Sequence, residues 1–120
     1  MVAKIGKIER VDLIIRNNAT FKLTLTYQDP LTGASLPLTG WDVEMQFRDQ
    51  AGGTLLATFN TSSGFTIDAP NGVVNFKVQP ATIQGWTFSK GWYDIVMTDP
   101  SSDTDCWLEG VFEVTRGVTL

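Results

Sequence analysis

Residues 21–28 read Phe-Lys-Leu-Thr-Leu-Thr-Tyr-Gln, and residues 41–48 read Trp-Asp-Val-Glu-Met-Gln-Phe-Arg. Each stretch alternates a large apolar side chain with a polar one along its whole length. A helix would scatter that period around its circumference. An extended chain puts the apolar set on one face and the polar set on the other. Both stretches therefore read as strands with one face on a core and one in water.

The punctuation around them fits. Asp29-Pro30-Leu31-Thr32-Gly33 reads as a turn, because proline pre-sets φ and glycine accepts positive φ. Gln50-Ala51-Gly52-Gly53 leads into a strand at Thr54–Asn60, and Ser62-Ser63-Gly64 into a short one at Phe65–Asp68. Pro70-Asn71-Gly72 predicts a hairpin with a type I′ turn into Val73–Gln79. Pro80 suits the first position of a single helical turn near 80–85. Trp92–Thr98 follows with Tyr93, Ile95 and Met97 facing in, then Cys106–Thr115 with Cys106, Leu108, Phe112 and Val114 facing in. Asp12–Arg16 is a further strand. About eight strands separated by frequent turns is the pattern of an all-β sandwich or barrel.

The chain has 120 residues, the common size of one domain. Such a chain buries roughly two thirds of its unfolded surface, so it needs no disulfide or metal staple. It divides into a candidate arm at 1–10 and a β-sandwich domain at 11–120. Its only cysteine, Cys106, leaves no internal disulfide to form. A lone cysteine in a strand reads as a small buried hydrophobe. No apolar run is long enough for a membrane helix, and no signal peptide is visible. The sequons at Asn18 and Asn60 therefore read as chance matches.

The charge pattern speaks against nucleic acid. Net charge is −4, and the one basic cluster, Lys4, Lys7 and Arg10, is too small to track a phosphate backbone. With no histidine at all, the usual general base and the usual metal ligand are both missing. Histidine-dependent triads cannot be built, and zinc would need cysteines the chain lacks. Asp42 with Glu44, and Glu109 with Glu113, alternate with apolar residues and read as solvated sheet faces rather than catalytic pairs. The segment from Asp99 to Asp105 has three carboxylates and two serines, hard oxygen ligands of the kind calcium takes. Its spacing is not that of an EF-hand and no glutamate closes it, so it reads as a polar turn. The expectation is a non-enzymatic protein with no cofactor.

Four tryptophans remain. Trp41 belongs to the inward register of its strand. Trp92 and Trp107 fall on the outward register if Tyr93 and Leu108 point in. Aromatics are enriched in interface cores, so Trp92 and Trp107, with Val96 and Val111 beside them, are candidate contacts for a second subunit or partner. The alternatives are a sheet covered on both faces, a register displaced by one residue, or a carbohydrate platform. Ile5 and Ile8 are the matching apolar positions of the arm.

The order of several short motifs resembles the N-terminal, immunoglobulin-like domain of phage baseplate upper proteins and related small tail proteins. They begin with Asp12-Leu13-Ile14-Ile15, then Thr20-Phe21, and Pro37-Leu38-Thr39-Gly40-Trp41 entering a strand that ends at Phe47-Arg48. Asn71-Gly72-Val73-Val74, Gly91-Trp92-Tyr93-Asp94-Ile95 with Asp99, Gly110, Val114-Thr115 and Val118-Thr119 complete the series. It spans about residues 11–119. The resemblance implies an immunoglobulin-like antiparallel β-sandwich and offers no catalytic residue. It implies a virion part made in the host cytoplasm: a tail, baseplate or fibre-attachment adaptor, or a capsid decoration protein of the same fold. Its partners would be other virion proteins and further copies of itself, with no nucleic acid or membrane among them.

Overall fold

Alternating stretches gain most when two of their apolar faces close over each other, and that is the architecture found. The structure, a computed structural model, describes residues 2–4 and 8–119. Its strands are β1 (Val2–Lys4), β2 (Glu9–Arg10), β3 (Leu13–Arg16), β4 (Phe21–Gln28) and β5 (Asp42–Arg48). They continue with β6 (Leu55–Asn60), β7 (Phe65–Asp68), β8 (Val73–Val78), β9 (Lys90–Thr98) and β10 (Thr104–Thr115). One sheet has the order β1-β4-β8-β7, and the other β2-β10-β9-β5-β6, with β3 also paired to β10. This neighbour order is the one immunoglobulin sandwiches use. A single helical turn, α1 (Pro80–Gln84), carries the chain from β8 in one sheet to β9 in the other. Proline starts it, and Ile83 is its buried anchor.

The core is aromatic at its centre. Phe47 from β5 has no exposed surface and stacks on Phe112 of β10 at 4.2 Å between ring centroids. Phe59, Trp86, Phe88 and Tyr93 meet it edge-on. Val74, Phe76 and Val78 close the core from the smaller sheet, as their alternation predicts.

Four expectations change. The sandwich is not wholly antiparallel: β1 runs parallel to β4, and β2 and β3 run parallel to β10. Hence Val2–Lys4 and Glu9–Arg10, placed in a candidate arm, pair with opposite sheets. Three and two residues carry no readable period, which is why they escaped notice. The turn before β8 is not type I′. The Gly72 amide donates to the Ala69 carbonyl, which makes Pro70 a central residue, and its ring cannot take positive φ. Asn71 keeps negative φ as well, and Gly72 takes +65°.

The fourth change is at the start of β10. Its register against β9 shifts between Cys106 and Leu108. The extra residue is Trp107, and at such a bulge two neighbours can turn to the same side. Trp107 and Leu108 both point inward, and Cys106 moves to the outer face, half-buried opposite Val96. Trp107 is only 5% exposed, stacked on Tyr27 at 4.9 Å and tilted against Trp41 at 5.7 Å. It is a core residue, not an outward contact.

Candidate functional site

The two outer faces of the sandwich differ in kind. The smaller sheet presents exposed Lys22, Thr24, Asn75 and Lys77, with the Thr24 hydroxyl donating to Asn75 Oδ1 at 2.9 Å. That face is polar throughout its centre. The larger sheet instead exposes large apolar groups between charges. Its register sets Leu55, Arg48, Trp92 and Val111 in one row across β6, β5, β9 and β10. The next row is Gln46, Asp94 and Glu109, and the next Glu44, Val96 and Cys106.

Trp92 is 41% exposed at the head of this face. Arg10 from β2 lies over its ring, 5.3 Å from guanidinium carbon to ring centroid. Arg10 also pairs with Asp12 at 3.5 Å. Arg48 is held from two sides: it donates to Gln46 Oε1 at 2.9 and 3.1 Å and to the Gly53 carbonyl at 2.7 Å. Between these arginines a cleft of about 300 Å³ opens, with Trp92, Asp94 and Glu109 on its walls. Beneath it, the buried Tyr93 hydroxyl donates to the Val11 carbonyl and ties the crossing N-terminal segment to β9. Burial, then the nearby Asp12 carboxylate, pushes the Tyr93 phenol far above its usual range.

Asp94 and Glu109 are direct cross-strand neighbours. Partial burial, then the Glu109 charge, raises the Asp94 carboxyl above the usual range, with Arg48 opposing the shift. A carboxyl whose folded pKa is raised binds its proton more tightly when folded, so its ionised form above that pKa costs stability. Asp94→Asn is therefore expected to raise the melting temperature at pH 7, with the gain shrinking as pH falls through the carboxylate range. A lower melting temperature at pH 7 would contradict this.

Three of the six expected contacts, Trp92, Val96 and Val111, do share this face. Trp107 lies inside. Ile8, just before β2, is 55% exposed, and Ile5 falls outside the described residues. The charged members Arg10, Arg48, Asp94 and Glu109 come together only through the strand register. The signal was present: in β5 and β9 they alternate with the core positions that sequence identified. The turn after β9 is organised by the Asp99 side chain, whose Oδ1 accepts the amides of Ser101 and Asp103, each at 2.9 Å. Among the described residues no three metal-ligating side chains converge, and no helix is long and apolar enough to cross a membrane.

Three solved structures illustrate what the fold is similar to. The N-terminal domain of phage TP901-1 ORF48 aligns over 94% of this chain and 93% of its own, with 8% identity and a TM-score of 0.49. A chain from the complex of ICOS with ICOS-L and an anti-ICOS-L VNAR domain aligns over 90% of this chain and 56% of its own, at 10% identity and TM-score 0.48. Extracellular domains 3–5 of Drosophila OTK align over 96% of this chain and 35% of their own, at 17% identity and TM-score 0.43. No curated protein matches the sequence. The family model for the LtfC-like β-sandwich domain matches residues 7–115, from the approach to β2 to the end of β10, and the chain belongs to that family.

Proposed function

We propose that this protein is a structural part of a bacteriophage virion, a tail, baseplate or fibre-attachment adaptor that works by docking rather than by catalysis. The observation that carries the reading is the outer face of the larger sheet. There Trp92, Val96 and Val111 lie among charges on a rigid, doubly paired strand scaffold. Half-exposed aromatic and aliphatic groups ringed by charge suit a protein interface. The ordered motifs that resemble phage baseplate domains supply the setting. On this reading the partners are other virion proteins and further copies of the chain. The net charge of −4 speaks against nucleic acid. A carbohydrate platform is the weaker reading, because Arg10 already lies over the Trp92 ring that a sugar would need. A capsid decoration role would use the same face.

Trp92→Ala tests it. In a phage lysate that lacks the native copy, the variant is expected to enter particles at least tenfold less than wild type while it still unfolds cooperatively. Normal incorporation of the variant, or complete particles without the chain, would sink the reading.

A further inference from the structure

The two outer faces carry mirror-image electrostatic faults. On the smaller sheet Lys22 lies directly opposite Lys77. On the larger, Asp94 lies directly opposite Glu109. Both pairs are of the closely spaced kind. The Lys77 amide turns away to the Gly64 carbonyl at 3.0 Å, and the Glu109 carbonyl turns away to the Val11 amide at 2.9 Å. Like charges directly opposite destabilise a sheet. Neither pair is closed by an ion pair among the described residues, where the one ion pair is Arg10 with Asp12, although Arg10 is also the register partner of Glu109. Arg48, the other cation of the acidic face, is held by Gln46 and Gly53. Asp68 on the lysine face accepts the Asn71 amide at 3.0 Å.

We propose that copies of this chain associate head to tail, the Lys22–Lys77 face of one docking on the Asp94–Glu109 face of the next. This rests on reading the larger sheet's outer face as a docking surface, and it names one occupant of that face. The two complementary patches lie on opposite sides of the same sandwich. Their contact is therefore heterologous: it gives a ring where the rotation closes and a stack where it does not. Each docking step relieves two like-charge pairs at once, and added salt weakens it.

A charge-swap experiment decides it. Lys22→Glu/Lys77→Glu leaves acids on both faces, and Asp94→Lys/Glu109→Lys leaves lysines on both. By sedimentation velocity at low ionic strength, wild type is expected to associate with rising concentration and each variant alone to stay monomeric. The two variants mixed in equal amounts are expected to associate at least tenfold more tightly than either alone. A mixture that sediments like its components overturns the proposal, and so does a variant that self-associates like wild type. If a swapped variant does not fold, the neutral pairs Lys22→Gln/Lys77→Gln and Asp94→Asn/Glu109→Gln replace them. Each is expected to weaken wild-type association at least fivefold, and unchanged association overturns the proposal. Recovery in the mixture with normal particle entry of Trp92→Ala would refute the virion reading alone. The opposite pair of results would refute head-to-tail association alone.

Discussion

Phe47→Ala is expected to remove about 3–5 kcal/mol of stability, the usual toll for deleting a fully buried aromatic ring. Domains of this size hold only about 5–15 kcal/mol in total, so the variant will be barely folded or unfolded at room temperature. The reason is position. Phe47 is where the inner face of the larger sheet and the segment after α1 meet, stacked on Phe112 and touched by Phe59, Trp86, Phe88 and Tyr93. No neighbour can slide into the hole without leaving its own ring contacts. Urea unfolding followed by tryptophan fluorescence measures the loss. A change below about 1 kcal/mol would mean that the site collapses freely and is not the keystone described here.

Gly72→Ala is expected to be strongly damaging as well. Its φ of +65° suits glycine, and a side chain there costs roughly 1–2 kcal/mol in strain alone. A Cβ would also overlap the Leu36 carbonyl oxygen and crowd that of Tyr27. Both are backbone atoms engaged in the fold: the Leu36 amide donates to Tyr27, and the Tyr27 amide donates to Gly72, at 2.9 and 2.8 Å. Pushing them apart adds an overpacking penalty of about 1–3 kcal/mol. Thermal melting should show a drop of ten degrees or more, taking about 4–8 °C per kcal/mol for a domain near this size. Gly33→Ala is the control, since its φ is +72° but a Cβ meets nothing within 4 Å. Equal losses in the two would refute the crowding argument.

The long strands were legible because each obeys a period of two for its full length, as β4 and β5 do. Sequence failed where a single residue breaks that period. Trp107 illustrates why: a bulge changes the parity of everything before it, and only the pairing of β10 with β9 reveals it. The apolar side chains of Trp92, Val96 and Val111 announced the outer face of the larger sheet. The charges between them were hidden in the same alternation, because a polar residue in a strand reads as solvated until its cross-strand partner is known. Asp94 and Glu109 are 15 residues apart in the chain, and only the β9–β10 register makes them neighbours. The parallel pairing of β2 and β3 was equally out of reach, since nothing in so short a segment says which way its partner runs.

That parallel pairing bears on how the molecule would carry a load. From Leu13 opposite Phe112 to Arg16 opposite Thr115, β3 and the last strand of the larger sheet run side by side in the same direction. Tension drawn between the two chain ends therefore pulls β3 one way and β10 the other along their common axis. The hydrogen bonds joining them are strained together in shear, not peeled open one at a time, and rupture must wait for all of them to fail at once. Resistance of that kind is set by the rate of crossing the unfolding barrier and not by equilibrium stability.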